Sequence, residues 1–286
     1  MPIDLSGPTT RASLHTHTTH SDGQFPLPEV LQAYKELHFG AVAITDHNVW
    51  HDHSPASTDA LMVLSANEPS LGSREHMLAI GPMASAPTDQ GERPAARMQE
   101  VIDWTLARGG FAVLNHPSWT GMSVERLLEL QRYEALEIFN GGCIGHASEY
   151  SLTHWDELLR RGRRVWGVAT DDSHSVWDRG LGWVEVFGAR DPQPLVQALK
   201  AGRFYSSMGP RIDRIAFDGE RLTVKCEPVM GIAVMSEQGP VKVVHGKGGS
   251  VDALEWTLPK AHFAFLRVEI HRADGKKAWS NPVHFE

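Results

Sequence analysis

Five segments rich in histidine and carboxylate each close a short apolar run. The first is Ser13-Leu14-His15-Thr16-His17, followed by Ser21-Asp22-Gly23. The second is Ala43-Ile44-Thr45-Asp46-His47, and the third is Asn67-Glu68 with His76 further on. Leu114-Asn115-His116-Pro117 and Thr170-Asp171-Asp172-Ser173-His174 complete the set. Side chains alternate along an extended strand, so residues two apart face the same way. His15 and His17 can therefore share one side, and so can Asp172 and His174. Imidazoles and carboxylates gathered from many strand ends suit a divalent metal such as zinc, manganese or iron. A metal-dependent hydrolase is the simplest reading.

The elements that must position these residues alternate up to about residue 208. Leu27, Val30, Leu31 and Tyr34 fall on one helical face, with Pro28 in its first turn and Gly40 beyond its end. Strand-like runs follow at 41–45, 61–64 and 77–80. A second helix opens at Pro94, with Met98, Val101, Ile102 and Thr105 on one face. Strand 111–114, helix 123–132, strand 135–139, helix 147–161, strand 165–169, strand 183–187 and helix 194–201 continue the series. This order predicts a mainly parallel sheet with helices outside, its ligands at strand C-terminal ends. So many converging ends favour a closed or nearly closed barrel. Beyond Gly209-Pro210 the texture changes to short strands at 221–225, 232–235, 241–244, 254–258 and 265–271. The expected organisation is a barrel over residues 1–208 and a small antiparallel β domain over 209–286.

The chain has 286 residues, 16 histidines, two cysteines and a formal charge of −8. The charge argues against a broad surface for a nucleic-acid polymer. Cys143 and Cys226 make no disulfide framework and read as free thiols in a reducing compartment. No apolar run approaches the roughly 20 residues that span a bilayer, and no secretory signal opens the sequence. A cytoplasmic protein that acts on a small molecule, with no membrane partner, is expected. The sequence leaves its oligomeric state open.

The five segments, in this order, resemble the PHP (polymerase and histidinol phosphatase) family of metal-dependent phosphoesterases. The resemblance spans roughly residues 12–208. Tyr205-Ser206-Ser207-Met208-Gly209-Pro210 and Trp279-Ser280-Asn281-Pro282 are similar to a PHP subgroup with a C-terminal β domain that includes carbaryl hydrolases. The resemblance implies an α/β fold, a distorted (β/α)7 barrel holding two or three divalent ions. It implies His15, His17, Glu68 and Asp172 around a first metal. Glu68, His76 and His116 would surround a second, and Asp22, His47 and His174 a third. It also implies a further histidine or cysteine ligand, for which Cys143 and His146 are the options.

The other polar residues near these segments read differently. Asp171 has the opposite strand parity to Asp172 and suits a supporting role, as Asp46 does beside His47. His51 and His53, near Trp50, read as surface residues of a polar loop. Asn115 and Asn140 can face the site. Trp50, Trp119 and Trp177 can wall the pocket, and Arg179 can clamp an anionic substrate. The leading expectation is a phosphoesterase cleaving a small phosphomonoester or phosphodiester with a metal-bound hydroxide. Asp172, His47, His174 and Arg179 would be its catalytic residues, with His47 or His174 as general acid if the third ion is absent. A carboxyl ester, amide or carbamate hydrolase is the alternative. A non-catalytic binding module is a third, disfavoured by the intact ligand set.

Overall fold

The computed structural model describes residues 2–71, 75–81, 94–246, 249–260 and 262–285. The chain opens with β1 (Ile3–Ser6), β2 (Thr9–Ser13), α1 (Leu27–Glu36), β3 (Ala41–Ile44) and β4 (Met62–Asn67). Next come β5 (Ser70–Leu71), β6 (Glu75–Ile80), α2 (Pro94–Ala107), β7 (Phe111–Leu114), α3 (Pro117–Thr120) and α4 (Val124–Glu129). Then follow β8 (Ala135–Asn140), α5 (Leu152–Arg160), β9 (Trp166–Thr170), β10 (Trp183–Phe187), α6 (Pro192–Lys200) and β11 (Phe204–Ser207). The remainder is all strand: β12 (Ile212–Phe217), β13 (Arg221–Val229), β14 (Gly231–Ser236) and β15 (Gly239–His245). β16 (Val251–Thr257), β17 (Phe265–His271), β18 (Lys277–Ser280) and β19 (Val283–His284) complete it.

The barrel strands run in the order β2-β3-β4-β6-β7-β8-β9. An isolated parallel bridge between Thr16 and Ser173 joins the two ends of this wall just beyond β2 and β9. The residues of β3, β7, β8 and β10 are buried throughout, as expected where both faces of a sheet are covered. Inside lie small and branched residues such as Ala41, Ala43, Val113, Ala135, Val168 and Val184. Outside, Met98, Val101 and Ile102 of α2 and Trp155, Leu158 and Leu159 of α5 pack over the sheet. The sequence pattern of α1 is borne out, with Val30, Leu31 and Tyr34 buried.

The sheet is mixed rather than mainly parallel. β2-β3, β3-β4, β7-β8 and β8-β9 are parallel. β6 is antiparallel to both β4 and β7, and β10 is antiparallel to β2 and β11. The connection from β4 to β6 is too short for a helical crossover, so the chain returns as a hairpin. That return carries His76 back toward Glu68.

Past residue 208 the strands are antiparallel, in two sheets. β14, β17 and β18 continue the barrel's own sheet through the β11–β18 pair. β12, β13 and β16 form a second sheet, and its fourth strand is β1 from the start of the chain. The division expected at 208/209 is thus crossed by two strand pairings.

Candidate metal centre

Thr16 and Ser173 are the bridged pair, and the candidate ligands flank them: His15 and His17 on one strand end, Asp172 and His174 on the other. Asp172 takes a left-handed backbone, φ 50°, and so does His116 with φ 25°. Positive φ is uncommon outside glycine, although aspartate and histidine adopt it more readily than most residues.

Glu68 stands at the middle, fully buried. Its Oε2 lies 3.2 Å from His15 Nε2, 3.3 Å from His17 Nε2 and 3.0 Å from His47 Nδ1. Its Oε1 lies 3.1 Å from His76 Nδ1 and 3.5 Å from His116 Nε2. Asp172 Oδ1 is 3.1 Å from His15 Nε2 and 3.2 Å from His17 Nε2. Asp22 forms an outer group: its carboxylate lies 3.3 Å from His174 Nε2 and 3.5 Å from His47 Nε2. Three sets of converging ligand atoms result: His15, His17, Glu68 and Asp172; His47, Glu68 and His76; His17, Asp22, His47 and His174. The structure thus brings His15, His17, Asp22, His47, Glu68, His76, His116, Asp172 and His174 together.

His15 Nε2, His17 Nε2, Glu68 Oε2 and His116 Nδ1 are buried without a hydrogen-bond partner. Their close approaches miss hydrogen-bond geometry, so the first three of these atoms point at a shared space rather than at one another. Buried polar atoms left this way call for an ion or water. The donor set of imidazole nitrogen and carboxylate oxygen fits a divalent transition metal.

The electrostatics agree. Burial alone would raise the Glu68 and Asp172 carboxyls, yet the surrounding histidines hold both well below the usual range. Burial alone would lower His15, yet Asp172, Glu68 and Glu137 hold it well above the ordinary imidazole value. For His174 the same burial is outweighed by the Asp22 hydrogen bond and the Asp172 charge, which push it up to about 9. The cluster as built stabilises positive charge among its carboxylates.

A supporting layer fixes these groups. Glu137 Oε1 lies 2.7 Å from His15 Nδ1 and accepts from Thr170 Oγ1 at 2.7 Å. Its Oε2 accepts from the His116 backbone N–H at 2.8 Å and Asn140 Nδ2 at 2.9 Å. Asn140 also donates to Asp172 Oδ2, and Asn115 donates to Glu68 Oε1. Ser70 Oγ meets His47 Nδ1 at 2.7 Å. Asp46 accepts from the Thr18 N–H, Thr18 Oγ1 and Ser21 Oγ, tying down the turn before Asp22. Asp171 accepts from the Gly180, Leu181 and Gly182 N–H groups and from Tyr34 Oη, anchoring the loop that follows His174. Its burial pushes its carboxyl up to about 6.

The sequence reading missed Glu137 and Ser70. Glu137 left a signal, a lone carboxylate inside the apolar run 135–139. Arg179 does not join the site. Its guanidinium lies over the Phe25 ring at 4.6 Å, and it does not line the cavity. Trp119 does line that cavity, beside Cys143 and His146, whereas Trp177 is 84% exposed and Trp50 borders a different one. The cavity over the cluster has a volume of about 320 Å³. Burial pushes the Cys143 thiol up, away from the thiolate form.

Residues 13–74 match the PHP domain family. The whole chain is similar to a two-domain protein from Bacteroides vulgatus described as containing a predicted PHP-like metal-dependent phosphoesterase. The identity is 15% and the TM-score 0.54, over 99% of this chain and 95% of that one. PsfC from Pseudomonas syringae is similar at 15% identity and a TM-score of 0.49, over 68% and 89% of the two chains. An amidohydrolase from Chromobacterium violaceum, solved with sulfate and no metal, shares 15% identity with a TM-score of 0.43, over 68% and 96%. No curated protein matches the chain. The family match lies on β2 to β5, where His15, His17, Asp22, His47 and Glu68 are found, and the two-domain likeness extends to the C-terminal strands. The match to the PHP domain thus rests on residues 13–74, inside a barrel that is joined to a C-terminal antiparallel β unit as in the two-domain protein it resembles in fold.

Proposed function

We propose that the chain is a metal-dependent hydrolase that cleaves phosphate esters of small molecules. The observation that carries this reading is the placement of Glu68, with one oxygen toward His15, His17 and His47 and the other toward His76 and His116. A buried carboxylate divided in this way suits a bridging ligand. His15, His17, Glu68 and Asp172 would hold one ion, Glu68, His76 and His116 a second, and Asp22, His47 and His174 a third. Bound there, divalent ions supply Lewis acidity and lower the pKa of water toward neutrality.

The protein's own residues orient and seal. Glu137 fixes the ring of His15, and Asn140 fixes the carboxylate of Asp172. Trp119 packs against His76 and His116 and covers one side of the cavity. With two ions rather than three, His174 Nε2 holds a proton for the leaving oxygen. The cavity is lined by Asp22, Glu68, Asp172 and Asp178 among the acids and by no lysine or arginine among the described residues. A phosphate's charge would therefore meet imidazoles and the cations they hold. The same lack of a basic side chain, with Trp119 as a wall, also favours a second reading, hydrolysis of a carboxyl ester, amide or carbamate.

The deciding experiment is turnover of chromogenic phosphate monoesters, phosphate diesters and carboxyl esters by metal-reconstituted protein. Metal-dependent phosphate release is expected, and Asp172→Ala or His15→Ala should abolish it while the fold persists. Activity confined to carboxyl esters or carbamates would overturn the phosphoesterase reading.

A further inference from the structure

Three more histidines gather outside the cluster around Glu68. The ring of His20 lies parallel to that of His53, with centroids 5.6 Å apart and planes 2° from each other. His51 adds a third ring, 4.6 Å from His20 and 5.4 Å from His53. Asp46 lies against them, buried, with Oδ2 3.8 Å from His20 Nδ1. One ligand atom each from His20, Asp46 and His53 lie within 4.8 Å of one another. His53 is buried although its loop is polar, contrary to the surface role expected for it.

We propose that His20, His51, His53 and Asp46 form a separate binding site for a divalent transition-metal ion. Three neutral imidazoles and one carboxylate are the donor types that zinc, nickel and copper prefer over magnesium or calcium. Metal–nitrogen bonds of about 2.0–2.1 Å in a tetrahedral site place ligand atoms roughly 3.4 Å apart. The ligand atoms of His20, Asp46 and His53 already lie within 4.8 Å of one another, and the His51 ring stands beside them, 4.6 Å from that of His20. His20 and His51 are exposed and can rotate inward. Asp46 is already fixed: Thr18 N–H and Ser21 Oγ bind its Oδ1, each at 2.8 Å, and Thr18 Oγ1 binds its Oδ2 at 2.8 Å. That leaves Oδ2 with acceptor capacity on the side of His20. Among the described residues, no hydrogen bond occupies the ring nitrogens of His51 or His53.

An ion here would join two segments that belong to the rim of the main cavity. His20 sits on the turn that carries Asp22, and His51 and His53 sit on the loop that follows His47. The ion would clip these together without touching the cavity's own ligands.

The test is zinc stoichiometry after equilibrium dialysis of the full chain against Zn(II), read by elemental analysis. The double variant His20→Gln/His51→Gln should bind one zinc per chain fewer than wild type. Both side chains are exposed, so folding is preserved, and hydrolytic turnover should be retained. His53→Ala, checked for native circular dichroism, should lose the same equivalent. Asp172→Ala separates this site from the main one: it should lower the zinc count while leaving the His20/His51-dependent equivalent in place. Equal zinc in wild type and the double variant would overturn the proposal, whatever the main cluster binds.

Discussion

Glu137 divides its carboxylate between four groups, and three of them are a candidate ligand, a ligand's backbone N–H, or Asn140, which holds Asp172. Replacing it by Gln keeps the volume but puts a donor where His15 Nδ1 or the His116 N–H needs an acceptor. Loss of such an outer partner typically weakens metal binding by about 10–100-fold. Glu137→Gln should do so in a competition against a chromogenic chelator, and unchanged affinity would remove Glu137 from the site. Arg179 leads to the opposite expectation. Its guanidinium over Phe25 makes a packing contact, so Arg179→Ala should change kcat/KM on a phosphate ester by less than about twofold. A loss beyond about tenfold, with metal content intact, would restore it to the mechanism. The two residues show what spacing can and cannot reveal. His15, His17, His47, Glu68, His116, Asp172 and His174 were legible because each follows a strand-like run at a recognisable position. Arg179 is near His174 in sequence, but the loop turns its side chain toward α1's approach. Glu137 was overlooked because strand 135–139 reads as core, and only its hydrogen bonds disclose what the carboxylate does.

At the scale of elements, the strand–helix rhythm of residues 9–200 gave the barrel its outline, and most elements fell within a few residues of their expected limits. The reversed strand β6 was not legible, because an apolar run of four residues carries no direction. The short strands β12, β18 and β19 were not expected either. β12 also pairs with β1 and β18 with β11, partners far away in the chain, and local preference alone does not define such strands. β19 also carries a titrating group. His284 Nε2 is buried without a partner, and burial together with the Arg164 charge pushes its pKa down to about 4. Unfolded, the same ring titrates near 6.5. Between these values the unfolded state holds more protons, so the contribution is full above about pH 6.5 and is lost as pH falls toward 4. Urea midpoints at pH 7 and pH 4.5 should therefore differ less in His284→Gln than in wild type. An identical pH dependence in both proteins would exclude His284 as a source.

The molecule as a whole is held across its two parts by buried charge as well as by strands. Arg267 of β17 is fully enclosed. It donates to Asp156 of α5 at 2.8 Å and to Glu269 at 3.1 Å, with its guanidinium 4.8 Å from the Trp155 ring. Glu269 is also met by Lys277 and His271, and it is held down to about 2. Arg267→Ala would leave Glu269 and Asp156 without their shared cation, and breaking a buried pair costs about 3–5 kcal/mol. Chemical denaturation should show that loss, with zinc content at native pH unchanged. A change under about 1 kcal/mol would mean the network relaxes to water.

The pairing of β1 with β12 bears on the order in which the molecule can be completed. Ile3 faces Phe217 in register, and Leu5 faces Ile215. A ribosome delivers the first of these strands roughly two hundred residues before the second. Throughout that interval Ile3–Ser6 has no partner, while the barrel strands that follow it can already find theirs. The pairing of Ile3–Ser6 is then a recapture of an earlier segment by a strand made much later. A fold built this way leaves Ile3–Ser6 unprotected until Ile212–Phe217 has emerged.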